Sequence, residues 1–168
     1  MIAGGRTAIA DGDFRMREVR PDDSETLYRW RMQKDARPMF LNVDEVPFAT
    51  HQGYFARYFS PDNTDRWFVI EHQGVPVGTL ALYGWGEVEG EWEWGRLVVG
   101  AEHRGLGAAM AAFRLLLRYG RAMGARSIRS EVLEANRRVV DMHDELGFRR
   151  DERREHDGRS FILFRIDL

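Results

Sequence analysis

The 168-residue chain contains no cysteine. Disulfide frameworks, thiolate nucleophiles and cysteine-based zinc sites are therefore excluded, and the absence fits a reducing compartment. No apolar run approaches the roughly 20 residues of a membrane span. The opening MIAGGRTAIADGDF holds one arginine and no sustained apolar stretch, so a secretory signal is not expected. Charge of one sign is not in excess either. Twenty-five Lys and Arg against 27 Asp and Glu give a net charge of −2, which offers nucleic acid no global attraction. What is present is ordinary for a globular protein: 43% hydrophobic and 31% charged residues. The length predicts one domain with a substantial core, residues 14–168, behind a loose tail of residues 1–13.

Phe14 to Arg20 alternates apolar and charged residues, the pattern of a half-buried strand ended by Pro21. Asp22, Asp23 or Ser24 can cap a helix carrying Leu27 and Trp30 inward, broken at Arg37-Pro38. A second helix from Thr50 is expected to bury Tyr54, Phe55 and Tyr58. Strands follow at 67–70 and 76–85, a turn at 86–90 and a third strand at 91–99. A helix from Gly105 or Leu106 to about Arg121 carries Leu106, Met110, Phe113, Leu116 and Leu117 at helical spacing. A strand at 127–133, a helix at 136–146 stopped by Gly147, and strands near 148–154 and 160–166 close the chain. This order predicts a mixed α/β domain with most strands in meanders and helices packed on the sheet.

The segment GAEHRGLGAAM, residues 100–110, follows the apolar run Leu97-Val98-Val99. Glycine and alanine leave their backbone uncovered, and converging N–H groups at a helix start form an anion site. Arg104 adds a positive charge beside them, and the helix dipole contributes about 0.3–1 kcal/mol per favourable charge. A plain glycine turn before a small-residue helix would give the same letters. The spacing matches neither GxxxxGK[ST] nor GxGxxG, so neither a P-loop nor a Rossmann site is supported.

Arg104-Gly-Leu-Gly107-Ala-Ala109 resembles the Arg/Gln-x-x-Gly-x-Gly/Ala motif of the GNAT superfamily of acyl-CoA N-acetyltransferases. Leu133-Glu-Ala-Asn136 and Leu146-Gly147-Phe148, about thirty residues downstream, are similar to that family's second landmark. The resemblance implies a mostly antiparallel central sheet with a splayed parallel strand pair and helices on both faces. It implies acetyl-CoA as cosubstrate and no metal, and a transfer to a primary amine by direct attack in a ternary complex. By position, the N–H groups of Arg104, Gly105, Leu106, Gly107, Ala108 and Ala109 would hold the pyrophosphate of CoA. Leu97, Val98 and Val99 would pair with the pantetheine arm, and a backbone N–H there could polarise the thioester carbonyl. Asn136 matches an asparagine that contacts the same arm; it could equally be a simple N-cap.

The chain departs from the family at His143. The family usually has a tyrosine four residues before the glycine of Leu-Gly-Phe, where it protonates the departing thiolate. His143, expected on the helix face of Asn136 and Val139, could take that role with a pKa of about 6.5, or be a hydrogen-bonded structural histidine. For the general base, Glu93 is the candidate and Glu91 the alternative. Strict alternation would put both carboxylates on one strand face with Gly95, Leu97 and Val99, although acidic–aromatic alternation also suits a half-exposed edge.

The resemblance implies that the acceptor walls come chiefly from the first two helices and the hairpin before the CoA strand. Trp30-Arg31, Phe40 and His51 resemble the branch that acetylates nucleotide-linked amino sugars, with Glu91 also near the acceptor. The same residues overlap ribosomal-protein N-terminal acetyltransferases and aminoglycoside-type enzymes, and a catalytically silent acyl-CoA-binding module is a further alternative. The expectation is a cytoplasmic monomer or homodimer acting on a small amine, without nucleic-acid or membrane partners.

Overall fold

Side-chain alternation splits the apolar residues of the strands between two layers of helix. On strand β3 (Arg66–His72), Trp67 and Val69 join a cluster with Leu27, Trp30 and Phe55, whereas Phe68 and Ile70 join one with Phe113, Leu116 and Tyr119. A strand buried on both faces requires cover on both sides. Helices α1 (Ser24–Arg31) and α2 (Phe48–Tyr58) supply one layer. Helices α3 (Ala108–Ala122) and α4 (Arg137–Glu145) supply the other. The computed structural model describes residues 9–83 and 90–168.

The other strands are β1 (Ile9–Asp11), β2 (Phe14–Glu18), β4 (Val75–Tyr83), β5 (Glu91–Val99), β6 (Ser127–Leu133), β7 (Arg149–His156) and β8 (Arg159–Asp167). They form one sheet in the order β1-β2-β3-β4-β5-β6-β8-β7. Every pair is antiparallel except β5 with β6. The expected mixed α/β domain, with its mostly antiparallel sheet and one parallel pair, is the one observed.

Several local expectations need correction. Residues 9–11, assigned to a loose tail, pair with β2 in the register Ile9↔Met16. Leu106 does not face the core: it is 45% exposed in the loop, because helix α3 begins only at Ala108. Helix α2 begins at Phe48 behind Pro47, and of Tyr54, Phe55 and Tyr58, all expected inside, only Phe55 is buried. Tyr58, partly buried, spends its hydroxyl as acceptor for the Trp67 N–H at 2.9 Å. The turn expected at 86–90 lies almost wholly outside the described residues. Among the described residues no helix is long and apolar enough to cross a membrane.

A buried polar chain fixes β3 against β4 beneath the first helical layer. The Trp67 indole N–H donates to Thr79 Oγ1 at 2.8 Å, and that hydroxyl donates to the Phe68 carbonyl at 2.8 Å. Thr79→Val keeps the shape but leaves the indole N–H unsatisfied. A loss of about 1–3 kcal/mol is expected, measured by urea unfolding.

Candidate functional site

The parallel ladder between β5 and β6 is short. It covers only Glu91↔Ser127, Trp92↔Ile128 and Glu93↔Arg129, although both strands continue. Beyond Glu93 and Arg129 the two backbones part. On its other side β5 stays paired with β4, but the register slips between Thr79↔Val98 and Ala81↔Gly95. The extra residue makes a β-bulge at Arg96, whose φ is +54°, an uncommon angle for a side chain other than glycine. The bulge reverses the strand's facing. Before it, Trp92 and Trp94 pack in the layer of α3 and α4; after it, Val98 packs in the layer of α1 and α2, and Leu97 and Val99 change sides. The expectation that Glu91, Glu93, Gly95, Leu97 and Val99 share one face therefore fails at Leu97 and Val99.

Two cavities meet at the parting strands. The larger, about 710 Å³, lies over β4–β6 between α1 and α2, and Glu93, Gly95, Arg96, Arg31, Phe40 and His51 are on its wall. The smaller, about 320 Å³, is bounded by Gly105, Gly107, Ala108 and Ala109. Leu97, Val98, Asn136 and Val139 line both.

The smaller cavity suits an anion. Gly105 and Gly107 have φ of +87° and +81°, the left-handed region in which glycine is unstrained, and a Cβ on either would meet nothing within 4 Å. Gly107 is the N-cap of α3, with its carbonyl accepting the Ala111 N–H at 3.0 Å. Among the described residues, the N–H groups of residues 105–110 donate to no backbone carbonyl outside regular elements. Gln33 secures the start of the loop, its Nε2 donating to the Val99 carbonyl at 3.2 Å and its Oε1 accepting the Ala101 N–H at 2.6 Å. The Arg104 guanidinium donates to Asp35 across this cavity, so its charge is partly neutralised. Arg138, which sequence reasoning passed over, lines the same cavity without a carboxylate partner among the described residues. Asn136 is the N-cap of α4 yet makes no side-chain cap bond, and among the described residues its amide, on the wall of both cavities, has no hydrogen-bond partner.

The two candidate carboxylates differ. Glu91 is 15% exposed and held by Arg129 at 3.2 Å and Arg165 at 3.0 Å; it is absent from the cavity walls, so its place is structural and neither base nor acceptor contact. Glu93 is 38% exposed on the wall of the larger cavity, with Arg129 Nε at 3.3 Å.

His143 does not meet the expectation of a general acid. It is completely buried, with its ring packed against Trp94, Phe113, Phe148 and Phe164. A carbonyl can only accept, so Nδ1–H donates to Val139 O at 2.7 Å, and Nε2 accepts from the Ser130 hydroxyl at 2.7 Å. Burial lowers its pKa from 6.5 to about 4, which keeps it neutral where an acid would need a proton.

On the acceptor side Trp30 is also corrected. It is 1% exposed, absent from the cavity wall, and its indole N–H reaches Glu102 at 3.3 Å, so it is core. Arg31, Phe40 and His51 are on the wall as expected. Arg31 lies 3.8 Å over the Phe40 ring, and its Nη2 donates to the Asn42 carbonyl at 2.5 Å. His51 Nε2 donates to Ser24 O at 2.9 Å, and burial lowers its pKa. Two residues were missed. Arg96 stacks on Tyr54, Trp67 and Tyr83 at 4.7, 4.8 and 5.1 Å. Tyr83 covers Gly95 so closely that a Cβ there would sit 2.9 Å from its ring. The unremarkable letters of Arg96 gave no sign of the bulge.

A model of the Acetyltransferase (GNAT) family matches residues 17–148, and the chain belongs to that family. It is an acyltransferase by class, and acetyl-CoA is the family's cosubstrate. Among the described residues no cluster of three metal-ligating side chains occurs. Its fold is similar to that of the Vibrio cholerae spermidine N-acetyltransferase in complex with CoA and spermine, at TM-score 0.83 and 17% identity over 94% of this chain and 96% of that one. It is also similar to an uncharacterised Bacillus halodurans protein (TM-score 0.80, 16% identity, 96% and 89%) and a probable GNAT-family acetyltransferase from Chromobacterium violaceum (0.79, 14%, 98% and 87%). No curated protein sequence matches significantly.

The buried imidazole predicts an acid-labile fold. The unfolded chain takes up a proton below pH 6.5 that the folded protein refuses until about pH 4. Stability is therefore fully present above pH 6.5 and is lost as pH falls towards 4, by about 3 kcal/mol. Urea unfolding between pH 7 and 4.5 should show a smaller loss in His143→Phe than in wild type.

Proposed function

We propose that the protein transfers the acetyl group of acetyl-CoA to a primary amine by direct attack in a ternary complex, and that the acceptor is an amino sugar, nucleotide-linked in the fullest form of this reading. The observation that carries it is the meeting of the two cavities where β5 and β6 part. Pyrophosphate suits the free N–H groups of residues 105–110, with Arg104 and Arg138 adding charge. The facing edges of β5 and β6 beyond Glu93 and Arg129, which do not pair with each other, suit an extended amide-bearing arm, and Asn136 stands at the junction. Aromatic faces and guanidinium groups on the larger cavity suit a sugar bearing phosphate.

Glu93 accepts the proton that an ammonium must lose, directly or through a water, since the cation has no electron pair with which to attack. The amine nitrogen then bonds to the thioester carbonyl carbon, the carbon–sulfur bond breaks, and the nitrogen releases its second proton to solvent to leave the neutral amide. His143 holds no mobile proton for the departing sulfur, so solvent supplies it. A thiol pKa of about 8.5 makes thiolate a fair leaving group without a positioned acid.

The reading is tested by following release of free CoA with amino sugars, N-terminal peptides and polyamines as acceptors. Amine-dependent release is expected, strongest with amino sugars; acetyl-CoA binding without release on any amine would leave the silent binding module. Glu93→Gln should cut turnover by about 10²–10⁴-fold with CoA affinity unchanged. Gly107→Val strains a left-handed backbone angle by about 1–2 kcal/mol and crowds the cradle, so calorimetry should show weakened CoA binding.

A further inference from the structure

We infer that the acceptor carries an anionic group, phosphate or carboxylate, held by Arg96 and Arg31 on the same cavity wall as Glu93. This deepens the proposed acetyl transfer and rests on it. Arg96 is partly buried on the wall of the larger cavity, yet it makes no hydrogen bond and no ion pair among the described residues. The rings of Tyr54, Trp67 and Tyr83 take up its faces, but stacking leaves the in-plane N–H donors unused. Arg31 repeats the pattern. Its Nη1 is buried without a partner, while Nη2 is used on a backbone carbonyl that does not neutralise its charge.

Elsewhere in the molecule, one partly buried arginine shows the paired arrangement. Arg17, 12% exposed, is held by Asp23 at 2.8 Å and Glu71 at 2.6 Å. An uncompensated guanidinium in a low-dielectric wall is costly unless a ligand completes it. Burial and the neighbouring Arg31 charge lower the pKa of Arg96 to about 10, so both groups still carry charge at neutral pH. The two carboxylates on the same wall do not offset them: Glu93 is shared with Arg129, and Glu131 is exposed on β6.

The bulge is what delivers this arrangement. Without the extra residue, the side chain after Gly95 would face the α3–α4 layer; with it, Arg96 joins the acceptor cavity three residues beyond Glu93. The cavity thus offers a base, Glu93, and two cations without a carboxylate partner among the described residues, Arg96 and Arg31. A polyamine, positive along its length, is disfavoured by that charge, whereas an amine linked to a phosphate or carboxylate is matched.

The test uses the CoA-saturated protein, so that the phosphates of CoA are already seated. Calorimetry with glucosamine and glucosamine 6-phosphate, and with 4-aminobutyrate and its amide, compares each anion with its neutral partner; spermidine is the cationic probe. At least tenfold tighter binding of one anionic member over its partner is expected, and the pair that shows it distinguishes phosphate from carboxylate. Arg96→Gln, or Arg31→Gln if the first does not fold, should abolish that preference and raise the acceptor KM with kcat little changed. Equal binding of both pairs, or preference for spermidine, overturns the inference while acetyl transfer can still be observed. Failure of the wild type to bind CoA at all overturns the acetyltransferase reading, and this inference with it.

Discussion

Strands β5 and β6 hydrogen-bond side by side only from Glu91 to Glu93 and from Ser127 to Arg129, and then separate. A parallel pair that continued would close the sheet and leave no room for an extended ligand between the strands. The bulge at Arg96 redirects β5, and the side chains of β6 beyond Arg129 turn to other tasks, Ser130 to His143 and Val132 to the core. The gap so made joins the glycine loop to the acceptor cavity. Binding of one substrate and presentation of the other are consequences of one interrupted ladder.

The packing behind the gap fixes its shape. His143 occupies the position at which a proton donor was expected, but it is a neutral ring inside an aromatic cage, tied to β6 through Ser130 and to its own helix through Val139. Those two bonds fix α4 against the strand on which the gap depends. The cost is acid sensitivity. The opposite face is held by the chain from Trp67 through Thr79 to Phe68, and Trp67 in turn supplies a ring for Arg96.

Most of the sheet was legible from alternation and from turn residues, and the glycine loop was legible because small residues after an apolar strand have few other uses. The family motif then located Asn136 and the phosphate cradle. What was hidden depended on register. A bulge costs one residue and changes no letter, so Leu97 and Val99 were placed on the wrong face and Arg96 was passed over. Trp30 read as a wall residue because helical spacing does not say whether a ring reaches a cavity or the core. Glu91 and Glu93 look alike in sequence; they differ only because Arg165 from β8 closes on the first. Pairing of that kind needs the three-dimensional order β6-β8-β7, which local patterns do not supply.

The central claim, that CoA is held by the loop and by the parted strand, is tested most directly by amide hydrogen exchange with and without CoA. Exchange of residues 105–110 should slow, together with that of Val99, whose N–H faces away from the Thr79–Val98 pair towards the gap, because these N–H groups find acceptors on the ligand, while β3 and β8 should be unchanged. Binding of CoA without protection at either segment would contradict the account.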